Sequence, residues 1–210
     1  MSYSDFTLRD VKQKFQLTID ENSDLFSEAN EVTLSDWLKE TLQETLTLVL
    51  SVNTEKVRSE LLIAPVLVEL RKIVNRRISL FSGVDFNVDA AQGLNGFCDF
   101  IVSLSSEQMF INAPVLIAVE AKNENIKSGL AQCIATMVAA QLFNEREGNR
   151  IPAIYGVVTT GTTWRFLKLE AATVFIDSRE YYIDNIEKIL GILVQIVQQG
   201  LNFTETQKAA

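Results

Sequence analysis

With 210 residues, 47% of them hydrophobic and 22% charged, the chain is long enough to bury one sizeable core, and this ordinary composition fits neither long disorder nor a disulfide scaffold. It contains no histidine, which excludes histidine triads, histidine general bases and histidine-ligated zinc together. The formal net charge of -8 opposes binding to a phosphate backbone, although a basic groove can be local on an acidic protein. Cys98 and Cys133 have no metal-ligand spacing and read as buried thiols. The longest apolar run, Leu61 to Val68, is too short to cross a bilayer, and the N-terminus lacks a basic region followed by an apolar signal core. The expectation is a soluble cytoplasmic protein with no membrane partner.

Between Thr7 and Leu17, the spacing of Leu8, Val11 and Phe15 predicts a short amphipathic helix, and polar Thr18 to Glu31 reads as a loop. Ser35 is placed to cap a helix running to about Leu50, with Leu38, Leu42, Leu46 and Val49 on one stripe. After Ser51 to Thr54 a second helix extends to about Asn75, apolar on nearly all sides from Leu61 to Leu70, with Pro65 expected to bend or divide it. Ile78 to Val84 and Phe86 to Val88 read as a strand bent at Ser82-Gly83. Gln92 to Gly96 then turns into a strand over Gly96 to Val102.

Pro114 to Lys122 is apolar on both faces, as expected of a central covered strand whose C-terminal end opens to solvent. A helix over about Ile126 to Phe143 follows, then strands over Ile154 to Thr160, Trp164 to Leu169 and Thr173 to Ile176. Trp164, Arg165 and Lys168 could grip a nucleic-acid strand; sheet packing with edge charges is the plainer account. A closing helix spans Ile183 to about Gln199, and the tail after Leu201 is expected to fray.

The chemistry concentrates on two of these strands. Successive strand residues alternate faces, so Glu120 and Lys122 point the same way, roughly 7 Å apart along the chain. If the strand holding Asp99 pairs with theirs, a second carboxylate stands alongside. Buried charges must satisfy one another or hold an ion, and two carboxylates beside a lysine suit Mg²⁺, which takes hard oxygen ligands and leaves positions for substrate phosphate. The chemistry implied is metal-assisted phosphodiester hydrolysis, with Lys122 orienting water or stabilising transition-state charge.

Asp99 followed by Glu120-x-Lys122 resembles the signature of the PD-(D/E)XK nuclease superfamily, with Glu60 where many members carry an acidic residue on the first core helix and Gln132 where several carry a glutamine. The resemblance covers about residues 54–160. Cys98 stands where the signature has proline, and Thr136 where some exonuclease branches have tyrosine. It implies an α/β fold with a restriction-endonuclease-like core, α-β-β-β-α-β, its mixed central sheet flanked by helices. One domain would then comprise an N-terminal helical extension (1–53), the core (54–160), added strands with a closing helix (161–200) and a tail (201–210).

The resemblance also implies a Mg²⁺-dependent nuclease, with Mn²⁺ as a substitute, acting on nucleic acid, DNA first, and able to work as a homodimer. Asp99, Glu120 and the Ala121 carbonyl would hold the metal. Glu60 would bind it directly, bind through water or fix Lys122, while Gln132 would reach toward the scissile bond. Both also have bland readings, as a paired structural carboxylate and an exposed helix amide. Arg71, Arg76, Arg77 and Lys127 are candidates for backbone contact; the arginines equally suit a solvated helix C-terminus. The alternatives to a nuclease are a catalytically silent nuclease-like fold that binds nucleic acid or protein, and a buried salt-bridge cluster.

Overall fold

A computed structural model describes residues 1–209. Among them the chain is an α/β protein, a mixed open sheet of eight strands flanked by five helical rods, one of them interrupted. Helix α1 (Leu8–Lys14) is followed by a short strand β1 (Thr18–Asp20), then α2 (Asp36–Val52). The next helical rod comprises α3 (Glu55–Arg58), a π-helical stretch (Ser59–Ile63) and α4 (Ala64–Ile73). Strands β2 (Ser79–Asp85), β3 (Phe97–Ser103) and β4 (Val115–Ala121) precede α5 (Ile126–Arg146). Strands β5 (Ile154–Thr159), β6 (Thr163–Glu170), β7 (Thr173–Ile176) and β8 (Tyr181–Tyr182) lead to α6 (Ile186–Ala209).

The strand order is β1-β7-β6-β5-β4-β3-β2, with β8 paired to one end of β6. Only β4–β5 and β1–β7 are parallel pairs. A parallel neighbour requires a crossover, and α5 supplies it between β4 and β5. It packs with α1 on one face of the sheet, while α2, α4 and α6 fill the other. Long and apolar enough by composition to cross a membrane, α5 is mostly buried against the sheet as a core helix. Its approach needs Gly156 on β5, where a Cβ would meet Met137 Sδ at 2.5 Å and Cys133 Sγ at 2.8 Å.

Two expectations change. The Thr18–Glu31 segment is not all loop, because β1 lies beside β7 through the Thr18↔Thr173 register. The final helix continues to Ala209, so residues 201–209 are not a frayed tail. Pro65 divides its helix, as expected, through a widened turn before it, with Ala64 N–H bonding to Ser59 O five residues back. In a regular helix an N–H at position 65 would meet Leu61 O. Proline has none, and the Thr45 hydroxyl of α2 shares its one proton between that carbonyl, at 3.0 Å, and Thr41 O, at 2.8 Å.

The segment before α2 crosses α6 at Gly191, where a Cβ would lie 1.8 Å from Asn30 O, and Lys188 Nζ donates to Ser27 O and Ala29 O beside it. Backbone cannot yield there as a flexible side chain would. Gly191→Ala should therefore destabilise the protein by about 2 kcal/mol or more in urea unfolding; a loss below ~0.5 kcal/mol would show that this crossing is loose.

Candidate active site

The pairing of β3 with β4 determines where the acidic residues meet. Phe100 pairs with Val119, and one step further along this antiparallel ladder Asp99 comes opposite Glu120. Asp99 Oδ2 accepts the Ala121 N–H at 2.8 Å. Lys122 remains in the ladder, its N–H donating to Thr159 O at 2.8 Å, and its Nζ donates to Glu120 Oε1 at 2.5 Å. The strand thus brings Asp99, Glu120 and Lys122 together. Glu120 does not open to solvent as expected: it is 3% exposed, on the side of β4 shared with Ala118 and covered by α5.

Burial is the first cause of a Glu120 pKa pushed up to about 8, and the charge of Asp99 adds to it; Lys122 opposes both. For Lys122, burial acts against the ammonium, but the Glu120 carboxylate outweighs it and the net direction is upward. The two shifts describe one pair in opposite terms, since the lysine profits from the glutamate while the glutamate remains hard to ionise. The carboxylate's direction governs, because Glu120 is the more deeply buried partner and faces a second negative group.

Beside Asp99 an open cavity of about 260 Å³ is lined by Glu55, Lys56, Ser59 and Glu60 from the helical rod, Ser82 and Gly83 from β2, and Asp99 and Ala121, whereas Glu120 and Lys122 do not line it. Gly83 has φ +58° and carries no side chain into the space opposite Asp99. Glu60 reaches the cavity but is largely exposed and stands 3.8 Å from Lys56. Glu55, which sequence reasoning passed over, is the helix acid whose charge is felt by both Glu120 and Lys122. Its only sequence signal is its position just after the Thr54 cap, a place that also suits any acidic residue electrostatically.

The helical wall is tied to the strand ends by a buried cation. Arg58 donates to Thr160 O at 2.7 Å and to Asn53 Oδ1 at 2.8 and 3.1 Å. Asn53 Nδ2 in turn donates to Glu124 Oε1 at 3.1 Å, on the turn after Lys122.

The other candidates fall elsewhere. Gln132 is half-buried on α5 and does not line the cavity. Asp99 lies between the pairs Ser82↔Phe100 and Val84↔Cys98, so Arg77, just before β2, is about 20 Å away along that strand. Arg77 pairs with Glu205, Arg71 donates to Ile78 O at 3.1 Å, and Arg76 is exposed on the same far side. Lys127, exposed in the first turn of α5, is the one member of that basic set near the site. Trp164 is fully buried, its Nε1 donating to Gly161 O, and Arg165 bonds Asp177 O, which gives both a packing role.

Among the described residues no three Asp, Glu, Cys or His side chains converge as a metal cluster. Asp99 and Glu120 still fit a hard divalent cation: each has one oxygen used by a protein donor and a second that accepts no protein hydrogen bond among the described residues. Two carboxylates with water filling the remaining positions is the ligand set magnesium favours. Comparison with known proteins identifies no match, whether to a family model, a curated protein or a solved structure.

The raised Glu120 pKa has a thermodynamic consequence. Between its ordinary value of 4.5 and about 8, the folded chain keeps a proton that the unfolded chain releases. The contribution of this group is therefore complete below the lower value and lost as pH rises toward the upper one. Glu120→Gln should gain stability relative to wild type as pH rises from about 5 to 8 in urea titrations. Parallel wild-type and variant curves would place Glu120 in an ordinary solvated environment.

Proposed function

We propose that this chain is a metal-dependent nuclease, hydrolysing phosphodiester bonds of nucleic acid, with DNA the first substrate to test. The observation that carries this reading is the Asp99–Glu120 juxtaposition, with Lys122 Nζ 2.5 Å from Glu120 and Asp99 on the wall of an open cavity. The order α3–α4, β2, β3, β4, α5, β5, with β4 and β5 parallel, agrees with a restriction-endonuclease-like core of the PD-(D/E)XK type.

On this reading Asp99 and Glu120 hold Mg²⁺ or Mn²⁺ by their oxygens, and the Ala121 carbonyl is a further candidate ligand. The ion would supply charge to polarise a phosphoryl oxygen and acidify bound water. Lys122, held by Glu120, stabilises negative charge developing on the phosphate or orients the attacking water. Glu55 and Glu60 line the entrance and shape the field that an incoming phosphate meets, with Lys56 as the cation among them.

A catalytically silent binding module is the second reading. It is favoured by one observation, that Asp99 and Glu120 both accept hydrogen bonds from their own chain while Arg71 and Arg77 are engaged far from the cavity.

Cleavage of labelled single- and double-stranded DNA and RNA, with Mg²⁺, Mn²⁺ or chelator, separates the two. Wild type should cut one of these substrates only with metal, and Glu120→Ala and Lys122→Ala should each lower kcat by roughly 10²-fold or more. Cleavage retained in Glu120→Ala would remove the assignment; no cleavage by wild type with either metal would favour the binding module.

A further inference from the structure

Glycine is disfavoured inside helices, yet Gly129 stands in the first turns of α5. The reason is space. A Cβ there would meet Val158 Cγ1 at 2.7 Å and both Cε and Cγ of Lys122 at 3.1 Å. The Val158 methyl is the end of a side chain on β5. The other two atoms belong to the stem that carries the ammonium to Glu120. Helix α5 therefore offers bare backbone to the lysine at the point where any side chain would push the stem away. Lys122 is only 17% exposed, so a stem displaced from this packing gains exposure to solvent.

We propose that Gly129 is a positioning residue for Lys122: the missing Cβ lets α5 close over the lysine stem and keeps Nζ on Glu120. The catalytic consequence rests on the nuclease reading above; the positioning itself does not. It differs from the tight approach at Gly156, where the nearest atoms belong to Met137, Cys133 and Leu167 and only core packing is involved.

The test uses the intact chain and reads the lysine directly. Wild type, Val158→Ala, Gly129→Ala and the Gly129→Ala/Val158→Ala pair are treated with acetic anhydride, and modification of Lys122 is measured by mass spectrometry against Lys39, which lies exposed on α2. The double variant removes the closest clash, so it keeps the lysine contact in question even if Gly129→Ala alone folds poorly. The rate at Lys122 should rise at least about fivefold relative to Lys39 in both Gly129→Ala chains and stay at the wild-type level in Val158→Ala. In the metal-dependent assay kcat should fall with KM unchanged, and Gly129→Ala should add no further loss in a Lys122→Met background. An unchanged Lys122 rate in the folded Gly129→Ala chains, or equal exposure in Val158→Ala, overturns the proposal. Raised reactivity with no cleavage by wild type would support the positioning role and reject the nuclease.

Discussion

Glu120 is a carboxylate buried on a central strand, and much of the surrounding structure answers the cost of holding it there. Removing a carboxylate from water costs several kcal/mol unless charge and hydrogen bonds are returned to it. Lys122 returns both from two residues along the same strand, at 2.5 Å. Asp99, opposite on β3, is a second negative group, and its Oδ2 is occupied by the Ala121 N–H. The lysine stem packs against α5 at Gly129, and α5 is in turn the crossover demanded by the parallel β4–β5 pair. Strand direction, helix approach and charge placement are parts of one solution.

The helical wall on the other side follows a similar logic with neutral partners. Pro65 removes one backbone donor, and the Thr45 hydroxyl shares its proton between the carbonyl that loses it and Thr41 O, so α2 becomes part of the hydrogen bonding of the neighbouring rod. The π-helical stretch carries Ser59 and Glu60 to the cavity while Leu62 and Ile63 remain in the core. Arg58, also buried, reaches the end of β5 and the α2–α3 junction at once, and its partners there are carbonyl, amide and hydroxyl oxygens. A guanidinium can be held this way because its five N–H groups spread over a fixed plane.

The sequence made the sheet's centre legible because its strands are long, apolar and bounded by turn residues: β3, β4, β5, β6 and β7 stand close to where periodicity places them. It concealed β1 and β8, of three and two residues, which carry no period of their own and exist only because β7 and β6 offer free edges. The juxtaposition of Asp99 with Glu120 was conditional on pairing, and register settles it. The burial of Glu120 was hidden, since a strand end beside a lysine reads as exposed until the covering helix is placed. The same limit applies to the basic residues. Arg71, Arg76 and Arg77 follow the first core helix in sequence, but the direction of β2 carries the chain about 20 Å from them before it passes Asp99. Glu55 escaped notice because an acid after a helix cap has an ordinary electrostatic reason to be there.

The direction of the Glu120 shift bears on whether this cluster exists for stability alone. A carboxylate whose native interactions outweigh its desolvation ionises more easily in the folded chain; Glu69 does so, with Lys72 and two Ser35 donors around its buried carboxyl. Glu120 goes the opposite way, because one lysine does not offset deep burial together with Asp99. In its ionised form it costs the fold stability, and a neutral residue of similar shape would relieve that cost. Such a cost is expected where groups are arranged for something besides folding, and a strongly displaced carboxyl beside a second carboxylate is a recognised mark of such sites. On the proposed nuclease reading, a cation adjacent to Glu120 would oppose that cost by favouring its ionised form.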